Sequence, residues 1–338
     1  MLVTILPFFL VANITVDDAH RQSEWAIYGP ECTYDVLVNM SLANVFQEND
    51  NFCTMIATEL KCRPKGDDSL SCRFQNSQIK RPDPTDNRCS NAKNYVPTRY
   101  KFVNDEPFEI RFNSKGIENL VVHKSILRWR LDMIKVIVSQ LNIGFETQER
   151  RDRFTIMENS TVGHCEVDVK ITRRDSDFKE DDSIEDDDSL IEESDSFEIG
   201  FMLSNDEHAH SLSMEKFYGL QVEKIRQPKR CPHRTMYFFG NHKDYSHDDR
   251  QLYMDMTTSE SHITISKSKF VTYTISEGTI KTANKTRIMR PTQNISLKLK
   301  RIDIARSPLP EIQNPASTSL FAFSNLEIVH EEIIHNLK

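Results

Sequence analysis

The chain has little to cross a membrane with, little to hold a metal with, and none of the common catalytic signatures. After a short apolar start, no segment approaches the roughly 20 apolar residues that a bilayer-spanning helix takes. None of the seven cysteines stands in C-x-x-C spacing, which disfavours zinc and favours disulfides. There is no G-x-S-x-G elbow, no P-loop, no G-x-G-x-x-G and no H-E-x-x-H. Those absences remove the commonest hydrolase, nucleotide-binding and metalloprotease readings, and an enzyme is not expected. Internal repeats and coiled-coil heptads are absent too. Hydrophobic residues make up 38% of the 338, a low share that still suffices for a sizeable core at this length.

Charge is present but unevenly placed. The formal net charge is −8, yet "DSDFKEDDSIEDDDSLIEESDSFE" (175–198) alone carries thirteen acids and one lysine. The remainder is therefore mildly basic, at about +4. The expectation is a folded protein of 24–305 carrying an acidic insert at 174–213 that is too charged and too poor in core-forming residues to fold.

The start, "MLVTILPFFLVA" (1–12), reads as a secretory signal segment, short of a membrane span and without a basic lead. A secreted, extracellular location agrees with the cysteines (32, 53, 62, 72, 89, 165 and 231), whose odd number leaves one unpaired or joined to another chain. Asn-x-Ser/Thr acceptors for glycosylation occur at Asn39, Asn159, Asn284 and Asn294, besides Asn13.

From Cys32 onward the pattern is strands. "CTYDVLVNMSLANV" alternates Tyr34, Val36 and Val38 on one face. "FCTMIATELKC" and "LSCRFQNSQI" flank the turn cluster "RPKGDDS" and read as a hairpin, and a disulfide between Cys62 and Cys72 fits across it. Short strands follow near "TRYKFV" and "FEIRFN". Further strands are expected at "DRFTIME", "GHCEVDVKIT", "YGLQVEKIRQ" and "RTMYFFG". The run "QLYMDMTT", "SHITISKS", "FVTYTIS", "GTIKTANKTRIM" and "ISLKLKRIDIA" alternates as antiparallel strands with one wet face do.

Between them lies one helix, expected over 124–143 with Gly144 as its left-handed cap. Leu127, Leu131, Ile134, Val138 and Leu141 hold helical spacing, and Ile126, Trp129, Met133, Val136 and Ile137 cover much of the other side. A helix apolar over most of its circumference must be surrounded. Among strands, the simplest surrounding is a curved sheet or barrel. After 305, three prolines (307–317) end the domain, and 306–338 is expected to be a linker plus a short amphipathic helix with Leu326, Val329, Ile333 and Leu337 on one face.

Candidate chemistry is sparse. His208, His210, His233, His242 and His247 lie in loop-like regions and read as solvated. The acidic run lacks the glycine and spacing of a calcium loop. Ser183 and Ser189 have an acid three residues on and suit acid-directed kinases. The basic stripe "SLKLKR" places Lys298 and Lys300 on one face, a strip that attracts acidic partners. Nucleic acid is not expected, because that face lacks interleaved aromatics.

"EPFEIRFNSKGIENLVV", then "SILRWRLDMIKVIVSQLNI", "TIMENSTVGHCEVDVKIT" and "CPHRTMYFFG", in this order and with these gaps, resemble the N-terminal domain of vitellogenins, egg-yolk precursors among the large lipid transfer proteins. The resemblance spans about 25–305. It implies a large antiparallel sheet curled into a barrel around one central α-helix, as in the lipovitellin N-sheet, and it implies a Cys165–Cys231 disulfide flanking the acidic insert. It implies lipid transport as the function class, and a receptor of the low-density-lipoprotein-receptor type, lipid or lipoprotein as partners, with Lys298, Lys300 and Arg301 as the receptor-binding candidates. It also places a phosphorylatable serine-rich linker at the insert in insect members, here acidic instead. Two departures stand out. Family members continue into a helical horseshoe and lipid-lining sheets, whereas this chain stops after the first domain. Cysteines 32, 53, 62, 72 and 89 exceed the family pattern, and their pairing stays open. The expectation is a vitellogenin-like secreted protein acting by receptor or lipoprotein binding. The alternatives are a small apolar-ligand carrier and a fragment of a full vitellogenin.

Overall fold

The computed structural model describes residues 11–15, 28–44, 52–66, 68–82, 95–98, 105–113, 115–145, 151–175, 198–202, 217–234, 252–266, 269–282, 288–322 and 326–328. The first strands are β1 (Val11–Thr15), β2 (Pro30–Asn44), β3 (Phe52–Pro64), β4 (Ser69–Pro82), β5 (Tyr95–Pro97), β6 (Phe108–Asn113) and β7 (Gly116–His123). Helix α1 (Arg128–Val138) follows and tightens into a 3-10 turn, Ser139–Leu141. Then come β8 (Arg153–Ser160), β9 (Gly163–Asp175), β10 (Glu198–Met202), β11 (Phe217–Arg226) and β12 (His233–Arg234). The last are β13 (Leu252–Ser266), β14 (Phe270–Thr282), β15 (Ile288–Ile304), β16 (Pro315–Thr318) and β17 (Glu327–Ile328).

β1 and β10 form a separate antiparallel pair. The other strands form one antiparallel sheet, ordered β12-β9-β11-β13-β14-β15-β2-β3-β4-β6-β7-β16-β17, with β8 on β9 and β5 on β4. Among the described residues the sheet does not close: β8 pairs only with β9, and the two-residue β17 only with β16. A barrel needs its outermost strands to pair with each other, so the expected barrel, and with it a helix on a barrel axis, is corrected to an open sheet.

Alternation decides which face is dry. Tyr34, Val36 and Val38 on β2, Leu60 and Cys62 on β3, and Ile295 and Leu297 on β15 are buried on one side. Their alternates Asp35, Lys298 and Lys300 are exposed. α1 belongs to this same core through Leu131, Ile134, Ile137, Val138 and Leu141. Each such fully buried side chain contributes roughly 1.5–3 kcal/mol. All residues from Leu131 to Val138 are buried, so the inference that the helix is enclosed holds without a closed barrel. Part of the enclosure comes from beyond the sheet: Lys135 on α1 donates to the Phe321 carbonyl at 2.8 Å.

The helix is shorter than its apolar pattern suggests. Lys124 and Ser125 form a turn in which the Ile126 amide donates to the His123 carbonyl at 3.0 Å. Leu127 is extended, supplies no capping side chain, and is 52% exposed. At the other end the helix stops at Ser139, and Gly144 takes its positive φ of 81° in the loop beyond rather than as the cap.

Other boundaries move for physical reasons. "QLYMDMTT" and "SHITISKS" are one strand, β13, because a bulge between Met256 and Thr258 lets the ladder continue. β16 adds to β7, so the sheet runs past residue 305. In the tail the described Glu327–Ile328 is strand, not helix, because it pairs with Ala316 and Ser317. Residues 329–338 lie outside the described residues. So do 1–10 of the expected signal segment, Val11 and Ala12 being in β1. Within 174–213, Arg174 and Asp175 end β9 and Glu198–Met202 is β10, which corrects a wholly irregular insert.

Arg63 clamps one end of the paired central strands β2 and β15. It is 5% exposed and donates to the carbonyls of Tyr28 (2.7 Å), Ser307 (2.8 Å) and Pro308 (3.3 Å). The chain entering β2 and the chain leaving β15 are thereby held by one guanidinium, whose pKa burial lowers.

Candidate functional site

The basic strip on β15 lies on the solvent face. Lys298, Lys300 and Arg301 are all exposed. A bulge between Leu299 and Arg301 leaves Lys300 out of the ladder, and this bulge is what brings Arg301 to the surface beside it. The strip is not a bare positive surface. Lys300 Nζ bonds Glu59 Oε1 at 2.9 Å and Asp35 Oδ1 at 3.2 Å. Arg301 Nε bonds Asp303 Oδ2 at 2.7 Å. On the neighbouring strands Lys61 and Arg73 share Glu31, at 3.0 and 3.3 Å. The result is a mixed ionic lattice. Lys300 is pushed up in pKa, chiefly by its hydrogen bond to Glu59, and Glu59 is pulled down, chiefly by Lys300. The exposed pairs Lys300–Asp35 and Arg301–Asp303 are worth about 0–1 kcal/mol each.

Inside the sheet lies a second charged constellation. Glu158 on β8 and Lys224 on β11 meet at 2.5 Å, with side chains 4% and 5% exposed. Arg226 approaches the other carboxylate oxygen at 3.4 Å. Asn142, just past the 3-10 turn, completes the node. Its Nδ2 donates to Glu158 Oε1 at 3.1 Å, its carbonyl accepts from Lys224 at 3.0 Å, and its Oδ1 accepts the Ile117 amide at 3.1 Å. Burial lowers the Lys224 pKa, with Glu158 opposing. These groups are committed to one another, so the node fastens the helix exit to β7, β8 and β11. A signal for it exists in the sequence. Glu158 is in phase with Phe154 and Ile156, and Lys224 with Leu220 and Val222, so each is a charge on an apolar face.

The other predicted positions scatter. Cys62 and Cys72 form a disulfide across β3 and β4 with Cα atoms 4.1 Å apart. Cys165 on β9 is bonded to Cys231, Cα atoms 4.0 Å apart. Cys53 is also in a disulfide, and Cys32 is a buried free thiol. Asn39 and Asn294 stand directly opposite each other on β2 and β15. Asn159 lies on β8, where its Oδ1 meets His164 Nδ1 at 2.7 Å. Asn284, Ser183, Ser189, His208, His210, His242 and His247 lie outside the described residues. His233 is in β12. No cluster of three potential metal ligands occurs among the described residues, and no helix there is long and apolar enough to cross a membrane.

Two recesses are lined by described residues. One lies between the start of α1 and the sheet, floored by Phe74, Phe108, Val122, Ile126 and Ile134, with a cavity of about 20 Å³. The other is an open groove on the outer face, lined by Arg153, Asp168, Lys170, Glu223 and Ile225.

The chain was compared with known proteins. The family model described as the vitellogenin N-terminal domain matches residues 30–297. No curated protein matches significantly. A solved structure titled "Lipid-protein interactions in lipovitellin" matches with a TM-score of 0.53 at 10% identity, over 90% of this chain and 28% of that one. At that identity the likeness speaks for the fold, a large antiparallel sheet with little helix, and the chain spans less than a third of the lipovitellin chain it matches. The match over residues 30–297, well over half of the chain, shows that the chain belongs to the vitellogenin N-terminal domain family.

Proposed function

We propose that this chain is a secreted, extracellular recognition module of the lipid-transport class, binding an acidic receptor module of the low-density-lipoprotein-receptor type, or a lipoprotein partner, through the outer face of β15. The observation that carries this reading is the exposure of Lys298, Lys300 and Arg301 on the sheet face opposite the helix. Acidic modules recognise lysine by charge, and the strip's own pairs are weak enough to exchange. The disulfides of the described residues fit an oxidising compartment. α1 packs into the core on the inner face, which favours surface recognition over carriage of an apolar ligand. The cleft beside the helix measures about 20 Å³, whereas ligand pockets run to about 300–1,000 Å³; the groove on the outer face reaches about 560 Å³ but is open and lined by Arg153, Asp168, Lys170 and Glu223.

Two measurements on the secreted chain test this. Binding to an immobilised receptor ectodomain is expected, weakening as salt rises, and the Lys298→Glu, Lys300→Glu double variant should lose it while keeping its thermal transition. Binding that survives the double charge reversal removes the strip from the argument. Native mass spectrometry with lipid extraction should return a mass without lipid; one bound lipid per chain would establish the carrier instead.

A further inference from the structure

Three neighbouring strands bring three cysteines into one row. Cys32 on β2 stands opposite Cys62 on β3, and Cys62 stands opposite Cys72 on β4. All three are at most 2% exposed. Cys62 is bonded to Cys72, and Cys32 keeps its thiol. Directly opposed residues of antiparallel strands have Cα atoms about 4.5–5.5 Å apart, within the range a disulfide spans. Cys62 therefore lies between two sulfur partners, one on each side. In-line displacement at sulfur requires that placement, with the attacking atom opposite the leaving one.

We propose that Cys62 exchanges partners, so that the Cys62–Cys72 bridge and a Cys32–Cys62 bridge are alternative states of this row. Cys32 loses its proton and its thiolate attacks Cys62 Sγ. The Cys32–Cys62 bond forms as the Cys62–Cys72 bond breaks. Cys72 leaves as a thiolate and takes up a proton. One disulfide and one thiol exist before and after, so no oxidant or reductant is consumed. The exchange moves the cross-link from the β3–β4 hairpin to the β2–β3 pair, so that β4 is held by its ladder with β3 and β6 and no longer by a covalent bond. Burial pushes the Cys32 thiol up to about 12, which keeps the closed core slow and makes the exchange depend on pH and on local opening. Cys165–Cys231 lies elsewhere in the sheet and shares no sulfur with this row.

The test uses the full oxidised chain without added thiol, held at pH 7.5 and 8.5 in sub-denaturing urea, acid-quenched, alkylated with N-ethylmaleimide and mapped by peptide mass spectrometry. The label should spread from Cys32 to Cys72 as Cys32–Cys62 linked peptides appear, about five- to tenfold faster at the higher pH, with Cys165–Cys231 intact. Independently, Cys72→Ser refolded in a glutathione buffer should form the Cys32–Cys62 bridge. Label confined to Cys32 at both pH values overturns the proposal. Label reaching Cys165 or Cys231 as fast as Cys72 also overturns it, because that is general scrambling. The unmutated chain decides alone if Cys72→Ser does not fold.

Discussion

Lys224 and Glu158, 66 residues apart, meet at 2.5 Å inside the sheet, and Asn142 closes the contact from the helix side. A charge left alone there has no water to turn to. Glu158→Ala should therefore cost about 3–5 kcal/mol in urea denaturation, because it strands Lys224 beside Arg226. The pair Glu158→Leu, Lys224→Met should recover much of that loss, since a packed apolar pair removes both desolvation costs. Equal destabilisation in single and double variants would show that packing around the node matters more than its charges.

The same node fixes a glycine. A Cβ on Gly116 would lie 2.0 Å from Asn142 Oδ1, and the residue has φ +109°. Gly66 has a similar φ, +106°, with open space around it. Gly66→Ala should cost about 1–2 kcal/mol from backbone strain alone. Gly116→Ala adds the clash and displaces the acceptor of the Ile117 amide, so a loss of roughly 3 kcal/mol or more is expected. Thermal melts of the two variants side by side separate strain from crowding, and equal losses would dismiss the clash.

These elements differ in how far local pattern reveals them. The hairpin of β3 and β4 was legible because turn residues and alternation lie within thirty residues. The helix was legible because Leu131, Ile134, Val138 and Leu141 hold helical spacing while Met133, Val136 and Ile137 make the other side apolar as well. The node was not, because its partners come from three segments joined only by sheet register, although each charge stands in an apolar phase. Closure was not legible either. An enclosed helix demands neighbours on all sides, and periodicity does not distinguish a closed barrel from an open sheet completed by the segment around Thr318–Phe321. The bulge at Lys300, which aligns it with Asp35 and Glu59, leaves no mark in the alternation of "SLKLKR".

Lys135 is expected to make stability depend on pH. Its amine is fully buried on α1, bonded to the Phe321 carbonyl at 2.8 Å and Thr318 Oγ1 at 3.2 Å. Burial lowers its pKa to about 8, with Asp132 opposing. An unfolded lysine titrates near 10.4. Below pH 8 both states are protonated and the folded core carries the full cost of the charge. From about pH 8 to 10.4 the unfolded state binds more protons, so this group's contribution to stability rises with pH. Lys135→Met lacks that dependence. The melting temperature of the unmutated chain minus that of the variant should grow from pH 7.5 to 9.5, and a constant difference would show that the amine keeps its proton.

The ionic lattice on β15 yields the sharpest test of recognition. If an acidic partner takes Lys300, it competes with Asp35 and Glu59, which already hold that amine. Removing the competitors should then help. Asp35→Asn with Glu59→Gln leaves the shape of the face unchanged and releases Lys300, at a stability cost within about 1 kcal/mol because these pairs are exposed. Receptor affinity, read by surface plasmon resonance, is expected to rise several-fold. The rise should be larger at low salt, since screening acts within about 8 Å at physiological ionic strength. A partner that ignores the strip would bind this variant no better than the unmutated chain. A partner that reads the lattice itself, carboxylates included, would bind it worse. The sign of one affinity change thus separates charge capture by Lys300 from recognition of the paired surface.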